Sequence, residues 1–250
     1  MIKIIVGNWK MNPQSEKDVE VLLKGVLKYL KNVKNTRVII CPPFPFLFIY
    51  KKLKNKKIIL GSQDVSKNSE GSHTGEVSPL MLSSMGVKAV IVGHSERRQR
   101  GESNKIANEK ILNLLKFKMT PILCIGENKR DHNGFYLSFV SEQIKECLVG
   151  VSRSQIKNLI IAYEPVWAIG KDAERQATVE EFIEMKIFIK KVISDLYGLN
   201  IIKDIPILYG GSVNSLNSSS FLNTGGADGL LIGRDSLILK KFIAIINEIN

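Results

Sequence analysis

Short apolar, β-branched runs recur along the chain, each cut off by Gly, Pro or a polar cluster. They lack the in-out alternation of half-exposed strands and match strands buried on both faces of a parallel sheet. The pattern predicts strands at 2–6, 38–41, 58–60, 89–92, 122–124, 159–162, 207–209 and 229–232. Their spacing of about 32 residues is that of a βα unit. Helical stripes fill most of the intervals. Val19, Leu22, Leu23, Val26, Leu27 and Leu30 share a face after Ser15, Ser78-Pro79 reads as a cap followed by proline, and Thr178 with Glu181 forms a capping box before Phe182, Met185, Ile189 and Val192. Eight such units, without a linker, favour one α/β domain over 1–250, a closed (β/α)8 barrel, with an open doubly wound sheet as the other arrangement.

Composition narrows the classes. With 250 residues, 44% hydrophobic and 24% charged, the chain matches globular proteins. No apolar run is long enough to cross a membrane, and the first one meets Gly7-Asn8 before a signal sequence could form, so the expected location is cytoplasmic. Cys41, Cys124 and Cys147 lack metal-ligand spacing and read as reduced and structural. The net charge of +12 suggests an anionic partner. The stretch Lys51-Lys52-Leu53-Lys54-Asn55-Lys56-Lys57 raises nucleic acid as one candidate, but it lacks interleaved aromatics, and a solvated helix face is the favoured reading.

A barrel of this type carries its chemistry where strands end. Those positions hold Asn8-Trp9-Lys10, Gln63-Asp64, His94-Ser95-Glu96, Gly126-Glu127, Glu164-Pro165, Gly210-Gly211-Ser212 and Gly233-Arg234. The last two glycine turns suit phosphate, because residues without a Cβ can aim successive N–H groups at its oxygens; tight turns are the plainer reading of each alone. Glu164, ending an apolar strand, suits a desolvated base, unless an Arg or Lys pairs with it. His94, before a helix start, suits a neutral hydrogen-bond donor to a carbonyl. Lys10 is a point charge for an anionic substrate and the one strand-end lysine that a Schiff-base mechanism could use. The connection from Pro165 to Thr178 reads either as a lid or as a surface loop with Trp167 buried on the rim.

In combination, Asn8-Trp9-Lys10, Gly93-His94-Ser95-Glu96-Arg97-Arg98, Cys124-Ile125-Gly126-Glu127, the run from Ala162 to Gly170 and Tyr209-Gly210-Gly211-Ser212-Val213 resemble the triosephosphate isomerases from end to end. That family is itself the reference case for the base, electrophile and lid roles. The resemblance implies Glu164 as base, His94 as electrophile, Lys10 and Asn8 on the charged substrate, and Glu96 in support. It implies N–H groups of Gly170, Ser212, Gly233 and Arg234 on phosphate, a lid of Pro165, Val166, Trp167, Ala168, Ile169 and Gly170, and a reaction without cofactor or metal. It also implies a homodimer in which the loop 66–76 places Thr74 against the partner's site.

The chain departs from the family's usual pattern in places. It takes two residues more between Gly170 and Ala177-Thr178, and carries His73 for an aromatic, Asp64 for Asn, Arg100 for Phe and Arg234 for Gly. Such features also resemble isomerases of four-carbon ketose phosphates, the alternative substrate class.

Overall fold

The computed structural model describes residues 2–53, 57–170, 173 and 175–249. Part of the basic stretch (Lys54, Asn55, Lys56) and part of the connection after Gly170 (Lys171, Asp172, Glu174) lie outside the described residues. Parallel strands β1 (Lys3–Asn8), β2 (Thr36–Cys41), β3 (Ile58–Ser62), β4 (Ala89–Val92), β5 (Thr120–Ile125), β6 (Ile160–Tyr163), β7 (Ile207–Tyr209) and β8 (Gly229–Ile232) form a closed barrel in sequence order. The pairing of β8 with β1, Ile4 against Gly229 through Gly7 against Ile232, excludes the open sheet. The helices between them are α1 (Glu16–Leu30), α2 (Leu47–Lys52), α3 (Pro79–Ser84), α4 (Ser95–Arg98), α5 (Asn104–Lys116), α6 (Phe135–Cys147), α7 (Val179–Tyr197) and α8 (Leu239–Asn247).

The expected helix starts are realised atom by atom. The Ser15 hydroxyl accepts from the Asp18 N–H, Ser78 from Met81, and Thr178 from Glu181, whose carboxylate returns to the Thr178 N–H. Each such cap contributes about 1 kcal/mol.

Strand limits differ from the expected ones where apolarity was a poor guide. Ile2 is exposed, and β1 continues through Gly7 and Asn8, which pair with Ile40 and Cys41. β5 begins two residues early and includes Pro121, tolerated because pairing with β6 starts only at Ile122.

Two apolar layers explain why the strands read as continuous runs. Ile4, Val6, Ile39, Cys41, Ile91, Cys124, Ala162 and Leu231 fill the barrel interior. The alternating Ile5, Val38, Ile40, Val90, Leu123, Ile161 and Leu230 face the helices. The period of two also decides what reaches the mouth. Asn8 follows Val6 by two positions, Glu164 follows Ala162, and Gly233 follows Leu231, so each continues the inward face beyond the last packed layer.

Candidate active site

The C-terminal mouth of the barrel holds a cavity of ≈ 510 Å³ lined by Asn8, Lys10, His94, Glu96, Glu164, Ile169, Gly170, Ser212, Gly233 and Arg234, among others. The sequence-expected residues from these strand ends thus meet in one place. Thr74 does not join them; it sits on the exposed part of the loop, 70–76.

Glu164 is 2% exposed, and among the described residues no lysine or arginine forms an ion pair with it. Its Oε2 accepts from the Ser95 N–H at 3.0 Å, and its Oε1 lies 3.2 Å from His94 Nε2. The backbone around it is tightly enclosed. A Cβ on Gly126 would lie 1.8 Å from the Glu164 carbonyl oxygen, and one on Gly210 would lie 3.1 Å from Glu164 Cγ. Gly126 is therefore required by the close approach of the Glu164 backbone, and Gly210 leaves the Glu164 side chain its space.

His94 is the N-cap of α4, and its Nδ1 accepts from the Glu96 N–H at 3.2 Å. An accepting Nδ1 carries no proton, which leaves the ring proton on Nε2, the nitrogen aimed at Glu164. The residue before it is fixed by a buried ionic group: the Gly93 N–H donates to Glu102 (2.8 Å), Lys110 Nζ bridges Glu102 and Asp64 at 2.6 Å each, and Arg97 meets Asp64 at 2.8 Å. Asp64 is thus a partner of Lys110 and Arg97. Burial drives its carboxyl above the ordinary value although Lys110 opposes it.

Lys10 takes a left-handed backbone conformation (φ 52°) held from both sides. Its N–H donates to Asn8 Oδ1 at 3.1 Å, and its carbonyl accepts from Gln63 Nε2 at 2.7 Å. The ammonium meets Glu96 Oε1 at 2.6 Å. Burial acts to raise the Glu96 carboxyl, but the ion pair with Lys10 prevails and the net shift is downward. Lys10 Cε would lie 3.4 Å from a Cβ on Gly233, so the lysine borders the last glycine turn.

The same cavity is also lined by Gly170, Ser212, Gly233 and the exposed Arg234. The Ser212 hydroxyl donates to the Ala168 carbonyl at 2.7 Å, tying the seventh strand-end turn to the segment after β6. Trp167 in that segment is 5% exposed. Its indole N–H donates to Glu127 Oε1 at 2.8 Å, and Tyr163 Oη donates to the same oxygen at 2.8 Å. In the sequence Glu127 stands out as a strand-end residue without a task, although the position logic applied to Glu164 covers it equally. Arg130, 3.8 Å from Glu127, and Arg175, over the Trp167 ring, stand at no strand end and offer no such signal.

Against known proteins, the family profile of triosephosphate isomerase matches residues 3–249. The chain is 39% identical over 247 residues to a triosephosphate isomerase of Thermoanaerobacter pseudethanolicus, covering 98% of both. It is 37% identical over 249 residues to one of Dictyoglomus thermophilum, covering 98% of this chain and 99% of the relative. With one of Borrelia garinii subsp. bavariensis it shares 42% identity over 252 residues, covering 98% of each.

Proposed function

The chain belongs to the triosephosphate isomerase family, and from that premise we propose how its barrel mouth interconverts dihydroxyacetone phosphate and D-glyceraldehyde 3-phosphate. The enzyme is an aldose-ketose isomerase acting on a small phosphorylated sugar. The observation that carries the assignment of roles is the buried Glu164 carboxylate, held by His94 and a backbone N–H at a cavity that Gly170, Gly210, Gly211 and Gly233 also line.

Glu164 rotates off the Ser95 N–H and removes a proton from the carbon beside the substrate carbonyl, then returns it to the neighbouring carbon. His94 donates from Nε2–H to the oxygen on which charge develops, giving an enediolate; Lys10, steadied by Asn8 and Glu96, stabilises that charge. Backbone N–H groups of Gly170, Ser212, Gly233 and Arg234 hold the phosphate. Residues 165–170 close over it and exclude water. The sequence of steps moves one proton between adjacent carbons and one between oxygens, and is redox-neutral overall. A coupled assay with each triose phosphate tests this reading, and absence of turnover in both directions rejects it. The four-carbon alternative is not favoured, since the matching relatives are triosephosphate isomerases.

The working form is a cytoplasmic homodimer, with residues 1–250 as one domain. Supporting the dimer, Leu80 and Met81 stand 59% and 57% exposed beside the polar loop 66–76, with which they line a cavity of ≈ 390 Å³. Sedimentation at micromolar concentration should give twice the chain mass, and deletion of the loop tip around Thr74 should give monomers of low activity. A monomeric parent protein would reject the dimer. No helix among the described residues is long and apolar enough to cross a membrane.

A further inference from the structure

The guanidinium of Arg175 lies 4.6 Å from the centroid of the Trp167 ring. The same group forks onto Glu181, Nη1 to Oε2 at 2.9 Å and Nη2 to Oε1 at 2.5 Å. Glu181 is itself immobilised at the start of α7, where its carboxylate accepts from the Thr178 N–H at 2.8 Å and its own N–H donates to the Thr178 hydroxyl at 3.2 Å. Trp167 is therefore held on its face by a cation anchored to a long helix and on its edge by Glu127. A cation fixed in this way cannot follow the indole when the segment that carries it moves. Arg175 does not line the ≈ 510 Å³ cavity, so its removal takes away no group that faces substrate.

We propose that Arg175 is a positioning residue that latches residues 165–170 in the resting arrangement through the face of Trp167, so that closure over a phosphorylated ligand must break the stack. The proposal rests on the assignment of residues 165–170 as the lid. Its consequence is thermodynamic. A ligand that binds the closed lid bears the cost of leaving the resting state, and its apparent affinity falls with the population of the competent form. Half-exposed cation–π contacts are modest, so the latch should weaken ligand binding by about 3- to 5-fold.

The test uses the full-length protein and its Arg175→Ala and Arg175→Lys variants. Calorimetric titration with 2-phosphoglycolate, whose carboxylate copies the enediolate, reads affinity, and steady-state assays with glyceraldehyde 3-phosphate separate KM from kcat. Arg175→Ala should lower both the dissociation constant and KM by about 3- to 5-fold without raising kcat. Arg175→Lys should fall between parent and alanine, because an ammonium keeps the charge and loses the flat fork. Melting curves of all three proteins establish that the fold is intact, and the lysine variant serves if alanine unfolds the connection. Unchanged or weakened binding in a folded variant overturns the latch. Failure of the parent to isomerise either triose phosphate would instead overturn the assigned reaction, while the titration would still read the latch.

Discussion

Around Glu164 the mouth is shaped by backbone against backbone, whereas around Trp167 it is shaped by side chains that meet outside the barrel. In the first region Gly126 and Gly210 let the neighbouring strand ends approach the backbone and Cγ of Glu164, and the Glu164 N–H is bonded to the Ile125 carbonyl at 2.8 Å. In the second, the indole is held by Glu127, with Arg130 3.8 Å behind it, and by the Arg175–Glu181 fork. The first arrangement admits no adjustment without moving a strand. The second is a set of separable contacts, each worth little, which suits the lid role proposed for residues 165–170.

The sharpest way to break that comparison is Gly126→Ala. A methyl placed 1.8 Å from the Glu164 carbonyl oxygen must push that backbone by more than an ångström. The overpacking should cost about 1–3 kcal/mol of stability, and misplacement of the base should lower kcat by ~100-fold or more. Denaturant titration together with kcat measures both. A variant with parental rate would mean that the region is as adjustable as the lid.

Next in size is Glu164→Asp, which leaves the backbone alone and shortens the reach by one methylene. The carboxylate then falls about 1 Å short, and kcat should drop by ~100-fold with KM changed at most a few-fold. A loss confined to KM, or a near-normal kcat, would remove Glu164 as the base.

These two residues also mark how far sequence alone could reach. Barrel topology was legible because each strand is apolar on both faces and each cap is local, so that Ser15, Ser78 and Thr178 announce their helices without tertiary help. Glu164, His94 and Lys10 were legible because strand ends converge in any such barrel. Gly126 was visible as a residue, but not as a requirement, since its reason is a contact across strands. Arg175 and Arg130 were illegible: they are charged residues in a basic chain, and apart from Glu127, three residues before Arg130, the partners cited lie in α6, α7 and the segment 165–170.

A smaller effect belongs to the seam between the two regions. Ser212→Ala removes the hydroxyl donated to the Ala168 carbonyl at 2.7 Å and leaves the backbone of the glycine turn in place. A neutral hydrogen bond is worth about 1 kcal/mol net, so kcat/KM should change by about 5-fold, with the fold unaffected. A change as large as that of Glu164→Asp would show that the seam belongs to the rigid region.

The smallest effect, and the one that tells most about the lid side, is expected for Glu127→Gln. Glu127 is 1% exposed; burial pushes its carboxyl above the ordinary range, and the hydrogen bonds from Trp167 and Tyr163, with the nearby Arg130, offset this only in part. A raised native value means that the folded protein holds this proton more tightly than the unfolded chain. Stability attributable to the group is then fully present below the ordinary carboxylate value and declines as pH rises through the raised one. Glutamine keeps an oxygen for both donors and has no charge to desolvate. The variant should therefore melt together with the parent below the ordinary carboxylate range and hold its stability better as pH rises through the raised native value. At the same time a neutral oxygen grips the Trp167 N–H less firmly than a carboxylate does, so KM should fall slightly, in the direction expected for Arg175→Ala. Melting curves across that pH range decide the first point and steady-state kinetics the second. A parent that gains on the variant as pH rises would mean that Arg130 outweighs burial at Glu127, and that the lid anchor is an ion pair held in place as firmly as the glycines hold Glu164.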